Sequence, residues 1–232
     1  MIKKKIEEKN LQTIISEVKE KKINGINVTV PFKKAVIPYL DKLSSEAKQT
    51  QSVNTIILSN ENLVGHNTDI SGFAKAIRDL NFNIRGKKVF ILGAGGVVPS
   101  IIFALSKMNV SEITISNRTR KKAEDLKSQF KILNVIDWGS LPDFDVIINA
   151  TSLGLHNEVI NLNFSEIGGN KLFYDVIYNP GVTNFLKEGK KLGNRSENGK
   201  LMFIYQAADS FRLWHGVEPI IDNEIIKFLE ND

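Results

Sequence analysis

A chain of 232 residues, 42% hydrophobic and 25% charged, can bury a core in one or two domains, and this composition excludes a fibrous or disordered protein. It has no cysteine, which excludes disulfides, thiolate metal sites and a thiol nucleophile, and His66, His156 and His215 stand too far apart in sequence to suggest a metal cluster. The formal net charge of +5 is concentrated: residues 1–22 hold seven Lys against four Glu, and Arg118 to Lys127 hold five basic residues against two acidic ones.

The first basic cluster lies on an amphipathic pattern in which Ile6, Leu11, Ile14, Ile15 and Val18 share one helix face, so its lysines read as the solvated side rather than a nucleic-acid surface. No apolar run approaches the length that crosses a bilayer, and no signal-peptide core follows the Lys-rich start. The expectation is a cytoplasmic protein with no nucleic-acid or membrane partner. "GINVTV" at 25–30 then reads as a strand closed by Pro31, and a helical stretch is expected to about Gln49. "SVNTIIL" and "NLVGHN" read as a hairpin around Asn60-Glu61, with Asp69 as N-cap of the next helix.

From residue 87 strands alternate with helices. Strands are expected at 88–92, 112–116, 131–136, 144–149 and 172–177, and helices at 98–108, 119–129 and 182–192, which together predict βαβ units and a parallel sheet covered by helices. Helices at 200–214 and 219–230 close the chain and are expected to pack back on its first part. Within the former, Phe203, Ile204, Ala207, Phe211 and Trp214 form a stripe that predicts core.

The strand "KKVFIL" runs directly into Gly93-Ala94-Gly95-Gly96 and then an apolar helix, the context of a dinucleotide-binding turn. Gly93 would permit the tight turn, Gly95 or Gly96 would let the backbone approach a pyrophosphate, and the helix start offers free N–H groups to an anion. Pro99 suits the first helical turn, while Val98 occupies the third position, normally small, and is expected to loosen the packing there. A purely structural turn is the competing reading. Where NAD-specific sites carry an acidic residue for the ribose hydroxyl, this chain has Asn117 followed by Arg118, Thr119 and Arg120. A guanidinium binds a 2′-phosphate with charge-assisted hydrogen bonds, so the expected cofactor is NADP(H).

The motifs "GINVTVPFK" (25–33), "SVNT" (52–55), "GHNTD" (65–69), "GAGG" (93–96), "NRT" (117–119), "NATSLG" (149–154), "YDVIYNPGVT" (174–183) and "GKLMFIYQAADSFRLWHG" (199–216) occur in one order, and on them the chain resembles the shikimate dehydrogenases. The resemblance implies an α/β fold with a Rossmann-like NADP domain, residues 71–199. A second α/β substrate domain, residues 1–70, would be completed by the C-terminal helices, 200–232. It implies NADPH-linked reduction of 3-dehydroshikimate to shikimate, with Lys33 and Asp69 as the catalytic pair and Asn27, Thr29, Asn54 and Gln206 as substrate contacts. The cofactor residues it implies are Gly93, Ala94, Gly95, Gly96, Val97, Asn117, Arg118, Thr119, Lys122, Thr151, Tyr178 and Gly199, with no metal and room for a homodimer.

Hydride reduction of a ketone develops charge on its oxygen, and a lysine supplies both a proton and a positive charge there. The amides of Asn27, Asn54 and Gln206 offer donors and acceptors to a polyol ring. On the residues alone Lys33 also reads as an exposed lysine, Asp69 as a cap, and Asn149 to Ser152 as loop capping. The family normally opens with a strand bearing a Ser-Leu-Ser type motif for the substrate carboxylate. Residues 1–24 contain none, and Ser16 sits in the helical pattern. The resulting expectations are an incomplete substrate domain with exposed sheet edges, near-normal NADP(H) affinity and a raised KM for shikimate. The alternatives are a quinate/shikimate dehydrogenase, against which Arg118 and Arg120 argue, or a catalytically weak dinucleotide-binding remnant.

Overall fold

The computed structural model describes residues 6–228, and among these the strands form a four-stranded and a six-stranded sheet. The Lys3–Lys5 run and positions 229–230 of the expected last helix lie outside the described residues.

Helix α1 (Leu11–Lys19), preceded by a short 3-10 turn at 8–10, packs Leu11, Ile15 and Val18 onto the first sheet. That sheet consists of β1 (Gly25–Asn27), β2 (Lys42–Leu43), β3 (Thr55–Ser59) and β4 (Asn62–His66), in the order β1-β3-β4-β2, with β1 and β2 as its edges. The hairpin expected around Asn60-Glu61 joins β3 to β4, and both turn residues have positive φ, 48° and 61°, as a two-residue type I′ turn requires. The helix expected up to Gln49 is not formed. Pro38 would fall inside it, and the chain instead makes turns with a single 3-10 turn at Ile37–Tyr39, pairs Lys42 and Leu43 in parallel with β4, and becomes α-helical only in α2 (Ser45–Thr50). The strand expected over 25–30 likewise stops at Asn27, and a turn holds residues 30–36.

After α3 (Asp69–Asp79) the alternation seen in the sequence becomes β5 (Lys88–Leu92), α4 (Val98–Lys107), β6 (Glu112–Ser116), α5 (Arg120–Gln129), β7 (Leu133–Ile136), β8 (Val146–Asn149), β9 (Leu172–Asp175) and α6 (Asn184–Lys191). β10 (Arg195–Glu197), α7 (Lys200–His215) and α8 (Asn223–Phe228) follow. The second sheet, in the order β10-β9-β8-β5-β6-β7, is parallel throughout. Val89 to Leu92 and Val146 to Asn149 are buried on both faces, which explains their unbroken apolar runs. Val98 is fully buried in the core beneath α4, and Pro99 lies in the first turn of that helix.

The last long helix departs from its expected packing. Its N-terminal half joins the second sheet's core through Met202, and its C-terminal half reaches the first, where Trp214 Nε1 donates to the Ile56 carbonyl at 3.2 Å. Phe211, expected in the core, is 41% exposed, while Asp209 and Ser210 are buried. The reason is polar: Asp209 accepts from Ser71 and Lys75 of α3, and the Ser210 hydroxyl bonds to Thr55 of the first sheet. α3 and α7 meet closely at Gly72, where an added Cβ would lie 2.8 Å from the Met202 carbonyl and 2.9 Å from Gln206. Gly72→Ala is therefore expected to destabilise the protein by about 1–3 kcal/mol through overpacking, read as a lower melting temperature.

Candidate active site

Four segments converge where α3 and α7 pack beside the first sheet. The turn after β1 carries Lys33, whose carbonyl accepts from Val53 N at 2.9 Å and so ties the turn to the approach to β3. Asn54 stands just before β3, Asp69 opens α3 directly behind β4, and Gln206 comes from α7. The Lys33 ammonium is paired with Asp69 Oδ2, and the two side chains are only 12% and 7% exposed. A surface reading of Lys33 is thereby overturned. Asp69 does not cap α3 either: Thr68 occupies the cap position without a side-chain cap bond, and the Asp69 carboxylate is drawn to Lys33 and to Asn54 Nδ2, which donates to Oδ1 at 3.0 Å. Its place in the first helical turn suits a negative charge.

Asn54 is buried at 3% exposure and uses its whole amide. Its Nδ2 also donates to Thr68 Oγ1 at 2.9 Å and lies 3.4 Å from Gln206 Oε1, while its Oδ1 accepts from Thr68 N at 2.8 Å. Asn27 enters this network through Thr55, whose Oγ1 lies 3.2 Å from Asn27 Oδ1. Thr29 is exposed in the turn that leads to Lys33. The structure thus brings Lys33, Asp69, Asn54 and Gln206 together, with Asn27 one residue further out. Sequence reading passed over Thr55, Thr68 and Ser210 as polar members of this cluster. All three lie inside the family motifs, and Ser210 was further traceable as the residue one turn after Gln206.

The glycine loop borders the same space. Gly93 has φ +106°, and a Cβ there would stand 2.8 Å from the Ala150 carbonyl, so both the turn and the close approach of β5 to β8 require glycine. Gly95 and Gly96 are exposed, and a Cβ at either would meet nothing closer than 3.8 Å; at Gly96 the neighbours are Val30 and the Lys33 stem. The chain's own packing gives no reason for glycine at these two positions. Asn117 braces the loop, accepting from Ala94 N at 3.1 Å and donating to the Thr119 carbonyl at 2.8 Å. Arg120 is held by Asp137 and Glu124, whereas Arg118 is exposed and makes no ion pair among the described residues. Lys122 is exposed in the first turn of α5, and Val97 lies half-buried ahead of α4.

Thr151 folds back on Asn149, donating to its Oδ1 at 2.7 Å, and packs beside Gly93. Tyr178 stacks on Phe203 with ring centres 4.4 Å apart, and Gly199 sits where a Cβ would collide with the Val176 carbonyl. Asn149 and Asp175, at the ends of β8 and β9, are tied by Asn149 Nδ2 to Asp175 Oδ1 at 3.1 Å, and the Asp175 carboxylate also accepts from Ile177 N and Thr183 Oγ1.

Burial pushes the Asp175 carboxyl above its ordinary value, against the opposing pull of its hydrogen bonds to Thr183, Ile177 and Asn149. A carboxyl raised in the folded state binds its proton more tightly there than in the unfolded chain. Its contribution to stability is thus full below the unfolded value and declines as pH rises through the folded one. Asp175→Asn is expected to remove this decline, so the difference in melting temperature between wild type and variant should move in the variant's favour as pH rises above the unfolded carboxyl value of about 4.

The comparisons with known proteins agree on one family. Residues 1–56 match the shikimate dehydrogenase substrate binding domain, and residues 74–164 match the shikimate / quinate 5-dehydrogenase domain. A shikimate dehydrogenase (NADP(+)) from Pelagibacter ubique is 50% identical over 97% of this chain and 85% of its own length. The chain belongs to the shikimate dehydrogenase family. Among solved members, the shikimate 5-dehydrogenase from Thermus thermophilus, whose structure holds NADP(H) and shikimate, superposes with a TM-score of 0.85 at 30% identity, covering 96% of this chain and 84% of that one. The 5-ketofructose reductase of Gluconobacter sp. strain CHM43 has the same fold, with a TM-score of 0.88 at 31% identity over 98% of this chain and 86% of its own. The α/β architecture expected from the strand–helix alternation is therefore that of the shikimate dehydrogenases, with a Rossmann-like unit beside a smaller sheet.

Proposed function

We propose that the chain is an NADPH-dependent shikimate dehydrogenase that reduces the ketone of 3-dehydroshikimate to the alcohol of shikimate, a step in aromatic biosynthesis, with Lys33 as proton donor. The observation that carries this reading is the part-buried Lys33–Asp69 pair beside the exposed Gly96 backbone. NADPH when bound supplies the hydride. Lys33 stabilises the charge that develops on the carbonyl oxygen and delivers the proton that completes the alcohol. Asp69 holds the ammonium in place and accepts from a ring hydroxyl. Asn27, Thr29, Asn54 and Gln206 orient the ring hydroxyls, their amides and hydroxyl acting as both donors and acceptors.

The residues present fit the cofactor. Gly95 and Gly96 leave room that no protein atom fills, and the N–H groups ahead of α4 precede its first hydrogen-bonded turn. These groups, with Gly93, Ala94 and Val97, would hold the pyrophosphate; Asn117, Arg118, Thr119 and Lys122 would hold the adenosine ribose and its 2′-phosphate. Thr151, Tyr178 and Gly199 would border the nicotinamide end. In this reading residues 1–70 and 200–232 form the substrate domain and 71–199 the NADP domain, which is supported by the confinement of the two sheets to 25–66 and 88–197. The described residues contain no helix long and apolar enough to cross a membrane. We place the reaction in the cytoplasm, with a homodimer as the assembly that sedimentation would decide.

The deciding experiment follows nicotinamide absorbance with NADP⁺ and shikimate, then quinate, then neither. Reduction with shikimate alone is the expected result. Reduction with quinate at comparable rates would move the assignment to a quinate/shikimate dehydrogenase, and no reduction with either would leave only a dinucleotide-binding role.

A further inference from the structure

We propose that Ser210 is a positioning residue for the proton-donating pair, because its hydroxyl sets the direction of a buried hydrogen-bond chain from α7 through Thr68 and Asn54 to the Asp69 carboxylate. The inference rests on the assignment of Lys33 and Asp69 to the reaction. Ser210 is fully buried at 0% exposure, and its Oγ has three polar neighbours: the Gln206 carbonyl at 2.9 Å, Thr55 Oγ1 at 2.7 Å and Thr68 Oγ1 at 3.1 Å.

A hydroxyl carries one proton, and a backbone carbonyl only accepts. With the Ser210 proton on the Gln206 carbonyl, Ser210 Oγ is left to accept from Thr68, while Thr55 can turn its single proton to Ser210, to Asn54 Oδ1 or to Asn27 Oδ1. Once Thr68 donates to Ser210, its own oxygen is free to accept from Asn54 Nδ2. The second Nδ2 proton then points at Asp69 Oδ1, and Thr68 N–H closes on Asn54 Oδ1 from the other side. Each acceptor from the Gln206 carbonyl to Asp69 Oδ1 then faces a donor, and the longer contact of Asn54 Nδ2 to Gln206 Oε1, 3.4 Å, stays outside the chain. The Asp69 carboxylate is consequently held at one oxygen by Asn54 and presents the other to Lys33. In such a low-dielectric network each bond polarises the next, so removing the terminal acceptor is felt at the far end.

Without the Ser210 hydroxyl, the Thr68 proton has Asn54 Oδ1 as its alternative, 3.2 Å away. That places the donor and acceptor functions of Thr68 on one amide and competes with Thr68 N–H for the same oxygen. The grip of Asn54 on Asp69 loosens, and the ammonium is no longer fixed relative to the ketone. The effect falls on turnover rather than on cofactor binding.

The test uses the full chain with shikimate and NADP⁺. Ser210→Thr and Ser210→Val are nearly equal in size and differ in the hydroxyl, so their ratio reports the hydroxyl whatever the added bulk does. The expected result is a kcat about threefold to tenfold lower for Ser210→Val than for Ser210→Thr, with the KM for NADP⁺ alike in both. Thr68→Val should make Ser210→Ala silent in a double-mutant cycle, because both act through one chain. Equal kcat in the Thr and Val variants, or multiplicative losses in the cycle, would overturn the proposal. Lys33→Ala measured alongside separates the two readings. If Lys33→Ala keeps its turnover, the assignment of the pair has failed; if it loses turnover while Ser210→Val matches Ser210→Thr, only the role of Ser210 has.

Discussion

Lys33→Ala is expected to lower kcat by about 100- to 10,000-fold, the range over which a positioned proton donor contributes to catalysis. The KM for NADP⁺ should change little, since Lys33 lies on the substrate side of the cleft and only its stem approaches Gly96. The variant leaves the Asp69 carboxylate buried beside an empty position, with Asn54 as its remaining charge-stabilising partner. Removing one member of a buried pair is destabilising, so the melting temperature should fall as well. NADP⁺ binding followed by fluorescence establishes that the variant remains folded under assay conditions. A kcat within tenfold of wild type would remove Lys33 from the chemistry.

Arg118→Ala is expected to weaken NADPH about 10- to 100-fold, the loss of one or two hydrogen bonds to a doubly charged phosphate. NADH, which lacks that phosphate, should bind the variant as it binds the wild type. Arg120 does not substitute, because Asp137 and Glu124 hold its guanidinium. Binding of both nucleotides to both proteins is the measurement. An unchanged ratio of NADPH to NADH affinity would transfer the 2′-phosphate to other cations, Lys122 among them.

The sequence revealed most of the second sheet, because β5, β8 and β9 are buried on both faces and carry apolar runs, while β6 sets Ile113 and Ile115 between buried Thr114 and Ser116. It concealed β2 and β10, which have two and three residues and lie at sheet edges, where pairing rather than side-chain pattern makes the strand. The stretch after Pro31 up to Gln49 looked helical because it holds helix-compatible residues, yet Pro38 interrupts it. α7 misled in a different way. Hydrophobic periodicity placed Phe211 inward, whereas the helix turns Asp209 and Ser210 inward to meet polar partners on α3 and β3.

The site was only partly legible. The glycine turn and the basic residues after β6 declare a nucleotide by their spacing within one βαβ unit. Lys33 and Asp69 are separated by 36 positions and come from different elements, so spacing alone pairs them with nothing. Resemblance to a family brought them together, and the fold shows the physical means, with β3 and β4 lying side by side so that Asn54 and Asp69 emerge at one end.

α7 begins in one hydrophobic core through Met202 and ends against the backbone of the other through Trp214. Neither sheet keeps a full complement of partners if the other melts, so the two halves gain their order cooperatively, as a single unit. α3 makes the same link, with Asp69 in the polar cluster and Phe73, Ala76 and Ile77 in the second core, and Asn67 adds a buried bond to Ser100 at the start of α4, so the catalytic pair and the glycine loop are held by elements that belong to both cores.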